Sequence, residues 1–116
     1  MILKDEVEYY LKDLSTKIEI WGMLFRSDRD KNLQTLLDLE LTPDAVKEII
    51  KALKVTDYVE GPKKDTLNGG PDLWVFGKLI KSKEIYIKVT IGFFNAQAVC
   101  ISFHTAEFPL HFPFKQ

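Results

Sequence analysis

Two alternating segments near the C-terminus carry the side chains best suited to proton transfer, Glu84-Ile85-Tyr86-Ile87-Lys88-Val89-Thr90-Ile91 and Val99-Cys100-Ile101-Ser102-Phe103-His104. Side chains on a strand alternate between its two faces, so Ile85, Ile87, Val89 and Ile91 point one way and Glu84, Tyr86, Lys88 and Thr90 the other. In the second segment Val99, Ile101 and Phe103 form an apolar set, opposite Cys100, Ser102 and His104. If the two strands pair with their apolar sides on one core, a Tyr, a Lys, a Ser and a His share the exposed face. Together they are the inventory of a metal-free acid/base site. A one-residue slip of register would scatter them.

The elements that must position these groups can be read from the rest of the chain. Its 116 residues fit one domain, and a composition of 46% hydrophobic and 28% charged residues suits a packed core. Leu3, Val7, Tyr10, Leu11 and Leu14 fall at helical spacing, which predicts an amphipathic helix over residues 3 to 14. After Ser15-Thr16, the pattern of Ile18, Ile20, Trp21 and Leu24 suggests a short strand over Lys17 to Phe25, with a helix as the other reading. Arg26 to Lys31 reads as a connection, and Asn32 to Leu39 as one or two helical turns. Thr42-Pro43-Asp44 is a clear helix start: Thr caps free amides, Pro suits the first helical position, and Asp complements the dipole.

Strands are expected at Val55 to Tyr58, Asp72 to Ile80, Glu84 to Gly92 and Ala96 to His104. Lys81-Ser82-Lys83 and Phe93-Phe94-Asn95 serve as short turns, and Gly61 to Pro71, with Asn68-Gly69-Gly70, as a long loop. Helices first and an antiparallel meander afterward give an α+β fold with the N-terminal helices on one sheet face. Residues 1–54 are then mainly helical, 55–104 the meander and 105–116 an extended tail. In that tail Pro109 and Pro113 oppose both helix and central strand. It is either a strap across the domain or an exposed apolar surface for a partner.

Charge is uneven along the chain. Residues 1 to 50 hold seven Lys/Arg against eleven Asp/Glu, a net of −4, whereas residues 51 to 88 hold eight Lys against five Asp/Glu, a net of +3. A basic middle segment suits an anionic ligand, because local potential governs steering more than total charge does. No apolar run approaches the roughly 20 residues that span a bilayer, and the early charges of Lys4, Asp5 and Glu6 argue against a signal peptide. A soluble, cytoplasmic protein without a membrane partner is expected. The lone Cys100 allows no internal disulfide and reads as a small buried hydrophobe. His104 and His111 lack the carboxylate set of a metal site, and Gly69-Gly70 lacks the Lys-Ser/Thr ending of a phosphate loop, so neither metal nor cofactor is expected.

The strings Asp57-Tyr58-Val59-Glu60-Gly61-Pro62, Trp74-Val75-Phe76-Gly77-Lys78, Glu84-Ile85-Tyr86-Ile87-Lys88 and Cys100-Ile101-Ser102-Phe103-His104, followed by Ala106-Glu107-Phe108-Pro109, occur in that order. Over residues 32 to 104 this arrangement resembles the MqsR-like bacterial toxins of the wider RelE superfamily. It departs from them in having Val59 and Glu60 where a lysine is expected, and Val75 where a glutamine stands. The resemblance implies a RelE-like α+β toxin of a type II toxin-antitoxin system, an endoribonuclease that cuts messenger RNA, either free or on the ribosome, and is silenced by a cognate antitoxin protein. A noncatalytic binding module on the same fold is the alternative.

For RNA cleavage without a metal, the 2′-hydroxyl must lose a proton, phosphorane charge must be stabilised and the leaving 5′-oxygen must gain a proton. His104 is then the candidate general acid, because an imidazole exchanges protons near neutral pH. Lys88 and Lys78 would stabilise the developing charge and Tyr86 would orient the phosphate or assist proton transfer. The base is Lys88 or Glu107. Tyr58 and Trp74 are candidates to stack a base beside Lys63 and Lys64, which would neutralise phosphate; the plain reading of Trp74 is a core residue beside Phe76.

Overall fold

The computed structural model describes residues 2–67 and 69–115, so Asn68 of the expected loop turn lies outside the described residues. The first helix, α1 (Lys4–Trp21), is longer than its sequence suggests. Val7, Leu14 and Ile18 form one buried stripe. Ser15 and Thr16 do not end the helix, because their weak propensity costs only tenths of a kcal/mol, while each buried aliphatic anchor contributes about 1.5–3 kcal/mol. Termination comes at Gly22, whose φ of 82° is left-handed. The strand expected over Lys17 to Phe25 is therefore corrected to the three residues of β1 (Met23–Phe25).

Next come α2 (Asp30–Leu39) and α3 (Pro43–Lys51). As expected, Thr42 Oγ1 accepts from the Ala45 amide at 3.1 Å, with Pro43 and Asp44 in the first turn. Val46 and Ile50 seat α3 in the core, and Lys51 at its end pairs with Glu19 of α1.

The expected strand Val55 to Tyr58 is displaced. Val55–Asp57 form a short 3₁₀ turn and β2 (Tyr58–Lys63) follows, so Gly61-Pro62 lies in a strand and not in the loop. An edge strand tolerates this, because a proline there removes no central ladder bond. β3 (Leu73–Ile80), β4 (Lys83–Thr90) and β5 (Ala98–Thr105) then form the antiparallel meander. The sheet order is β1-β5-β4-β3-β2, with β2 antiparallel to β3 and β1 parallel to β5, a pairing the sequence did not announce.

The β3–β4 turn decides which side chains meet. Lys81 and Ser82 both have positive φ, 50° and 69°, as two-residue hairpin turns require. Ile80 thus pairs with Lys83, and Gly77 faces Tyr86.

The helices cover the sheet face that carries Trp74, Phe76, Ile85, Ile87, Val89 and Phe103. The C-terminal tail crosses the other face as a strap. A Cβ at Gly77 would stand 2.6 Å from Leu110 Cδ1 and 2.8 Å from the Phe112 ring. Beyond these, Phe114 rests on Tyr58 with ring centroids 5.4 Å apart. No helix is long and apolar enough to cross a membrane.

Candidate active site

A β-bulge at Ile101 builds the site. Lys88 pairs with Ser102 but Val89 with Cys100, leaving Ile101 as the extra residue of β5. The bulge sends Cys100 into the core beside Phe25 and Val89, while Ser102 and His104 stay on the open face opposite Lys88 and Tyr86. Cys100 is therefore buried, as expected, but it does not share a face with Ser102 and His104.

What holds the bulge is Asn32 of α2, only 1% exposed. Its Nδ2 donates to the carbonyls of Arg26 and Ile101 at 3.0 and 2.9 Å, and its Oδ1 accepts from the Phe103 amide at 3.0 Å. The side-chain amide thereby satisfies backbone groups that a bulged ladder leaves unpaired. Arg29 adds a donation from Nη1 to the same Ile101 carbonyl at 3.2 Å.

On the open face the rings of Tyr86 and His104 stack, with centroids 5.3 Å apart and planes 19° apart. The Lys88 Nζ stands 5.9 Å from the Tyr86 ring centre. Nδ1 of His104 lies 3.0 Å from the Thr105 carbonyl. A carbonyl only accepts, so Nδ1 carries the hydrogen and Nε2 is the nitrogen left to take up or release a proton. Tyr86, Lys88, Ser102, His104 and Arg29 line a cleft of about 360 Å³ whose outer wall is the start of the tail, Glu107 to Leu110. Leu110 is fixed there by its amide, which donates to Glu84 Oε1.

The electrostatics favour an anion with proton transfer beside it. Burial lowers the pKa of Lys88, and the neighbouring cations Lys63 and Arg29 lower it further, against Glu60 and Asp65. Burial and Glu60 raise that of Tyr86, which keeps its phenol a neutral donor. Glu107 is held below its ordinary range by its hydrogen bond and ion pair with Lys31, at 3.0 Å, which makes it a poorer proton acceptor. A cleft of about 450 Å³ along α1 is larger, but Asp5, Glu6 and Asp13 line it and repel an anion.

The shift on Lys88 has a testable sign. Its charge opposes folding, and that penalty is full below its depressed native pKa and fades as pH rises toward 10.5, the ordinary value. Lys88→Met is therefore expected to raise the urea midpoint at pH 7 and to lose that advantage at pH 10 and above. Equilibrium unfolding at the two pH values measures it, and a Met variant less stable at pH 7 would contradict the assignment.

Three expected site residues stand elsewhere. Lys78 lies opposite Ile85, so it points to the helix-covered face, where its Nζ meets Asp57 Oδ2 at 3.2 Å. It is no part of the cleft. Tyr58 and Trp74, 3% and 8% exposed, are core residues: Trp74 stacks on Tyr10 at 4.1 Å and the Tyr58 hydroxyl donates to the Gly61 carbonyl. Neither offers a ring face to a base. Lys63 sits at the end of β2, paired with Glu60 at 3.3 Å, and its charge reaches Lys88. Lys64 stands exposed in the following loop.

Comparison with known protein families, characterised proteins and solved structures finds no match to this chain. The site therefore speaks for itself. Among the described residues, no group of three or more His, Cys, Asp or Glu is placed to hold a metal ion. Arg29 and Asn32 are the positions around the cleft that sequence reasoning passed over. The signal that existed was the basic run Arg26, Arg29, Lys31 in a supposed connection, which closes onto β5 only in three dimensions.

Proposed function

We propose that this chain is an endoribonuclease of the RelE-like toxin type, cutting messenger RNA in the cytoplasm by acid/base chemistry and restrained by a cognate antitoxin. The observation that carries this reading is the stacked Tyr86–His104 pair beside Lys88 in one cationic cleft. Lys88, in its neutral form, takes the proton of the ribose 2′-hydroxyl, and the 2′-oxygen attacks phosphorus. His104, protonated, gives its Nε2 proton to the departing 5′-oxygen. The products are a 2′,3′-cyclic phosphate and a 5′-hydroxyl. Arg29 and the neutral phenol of Tyr86 meet the charge that grows on the equatorial oxygens. Glu107 is the weaker choice of base because Lys31 already holds its carboxylate.

The experiment is incubation of the purified protein with RNA in EDTA, with and without ribosomes. Fragments ending in 2′,3′-cyclic phosphate are expected, and intact RNA in both arms overturns the proposal. Phe108, 80% exposed at the cleft mouth, favours a second reading, in which the same surface binds a protein without catalysis. Growth arrest that persists without RNA fragments selects it.

A further inference from the structure

A second cleft, of about 330 Å³, opens on the other side of His104 and is lined by Arg29, Asp30, Lys31, Asn32, Ser102 and His104. Its floor is the start of α2, a ten-residue helix that no side chain caps. The first amides of a helix have no partner within it, and their dipoles favour negative charge. Ser102 supplies an independent observation. It is 5% exposed, it lines both clefts, and its hydroxyl has no hydrogen-bond partner among the described residues. Its oxygen is not sealed from solvent, so within the cleft it can donate to a ligand oxygen in place of water. Arg29 and Lys31 add positive charge at the rim, and Asp30 is the carboxylate that opposes it.

We propose that this cleft binds a phosphate group through the amides at the start of α2, the Ser102 hydroxyl and the Arg29 guanidinium. Resting on the nuclease reading above, the ligand is the phosphodiester next to the scissile one. The strand then runs from α2 past His104 into the Tyr86–Lys88 cleft, with Arg29, Ser102 and His104 as the shared wall. A substrate of two linked phosphates is held more firmly than one of a single phosphate.

The test is a ¹⁵N titration of the whole chain with inorganic phosphate, and then with a DNA oligonucleotide that lacks the attacking hydroxyl. Shifts are expected at the amides of Asp30, Lys31 and Asn32 with both probes. Ser102→Ala is expected to weaken phosphate about tenfold, the scale of one hydrogen bond to a charged group, and Asp30→Asn to tighten it. Silent amides at 30–32, or equal affinity in wild type and Ser102→Ala, overturn the subsite. Shifts confined to the loop around Lys63 and Lys64 also overturn it, since they report charge alone. Neither titration needs catalysis. Phosphate binding here without RNA cleavage removes the nuclease reading and leaves the anion site standing, whereas cleavage with silent amides removes only the subsite.

Discussion

Replacing His104 with Gln is expected to lower the RNA cleavage rate by about 10²–10⁴-fold, the usual contribution of one positioned proton-transfer group. Gln keeps a polar side chain of similar reach and can still contact the Thr105 carbonyl, but it cannot carry a proton to the leaving oxygen. The fold should be indifferent to the change, because His104 lies at the open end of β5 and no buried contact depends on its charge. Cleavage rates on a defined oligonucleotide, with circular dichroism as the folding control, measure the effect. A variant that cuts within threefold of wild type removes His104 from the mechanism. Substrates with a better leaving group in place of the 5′-oxygen should regain much of the lost rate, since they need no acid, and that rescue separates proton donation from mere positioning.

Asn32→Leu is expected to cost about 3 kcal/mol of stability and to abolish cleavage although the Asn32 side chain is spent on the bulge and makes no contact with the reacting atoms. Leucine fills the same volume but leaves the buried Phe103 amide without an acceptor and removes donors from the Arg26 and Ile101 carbonyls. Orphaned buried groups cost about 1–3 kcal/mol each; Arg29 still serves the Ile101 carbonyl, which limits the sum. For a domain this size the loss corresponds to a melting point lower by on the order of 10 °C. Activity should fall even at temperatures where the variant is folded, because relaxation of the bulge turns Ser102 and His104 away from Lys88 and Tyr86. Calorimetry together with single-turnover cleavage at 15 °C tests both halves. Full activity in a folded Leu variant would show that the bulge holds without its amide clamp.

The outcome for each residue follows from whether its placement depends on near or distant neighbours. Helix α3 was legible because Thr42, Pro43 and Asp44 act within one turn of each other. The Tyr86–Lys88 and Ser102–His104 pairs were legible because alternation is local and each pair lies on one side of the bulge. Cys100 was misplaced because the segment Val99 to Phe103 alternates without a break; the extra residue is demanded by Asn32, roughly seventy positions earlier in the chain. Lys78 was lost to a difference of one residue. A three-residue turn over Lys81–Lys83 sets Lys78 opposite Tyr86, whereas the two-residue turn sets Gly77 there and carries the lysine through to the helix face. Tyr58 and Trp74 flank a basic loop in sequence, yet the rings turn inward because Tyr10 of α1 offers Trp74 a stacking surface that no local pattern reveals.

Gly77 stands at the middle of a central strand, where glycine weakens a sheet by about 0.5–1 kcal/mol relative to alanine, and the space it leaves is filled by Leu110 and Phe112. Positions 77, 110 and 112 are thus heritable only as a set: a branched side chain can enter β3 only in a lineage that trims the two apolar residues above it. Such a lineage would also dismantle the wall of the Tyr86–Lys88 cleft, since Leu110 belongs to both. Drift in the middle of the sheet is in this way tethered to the shape of the cleft at its rim.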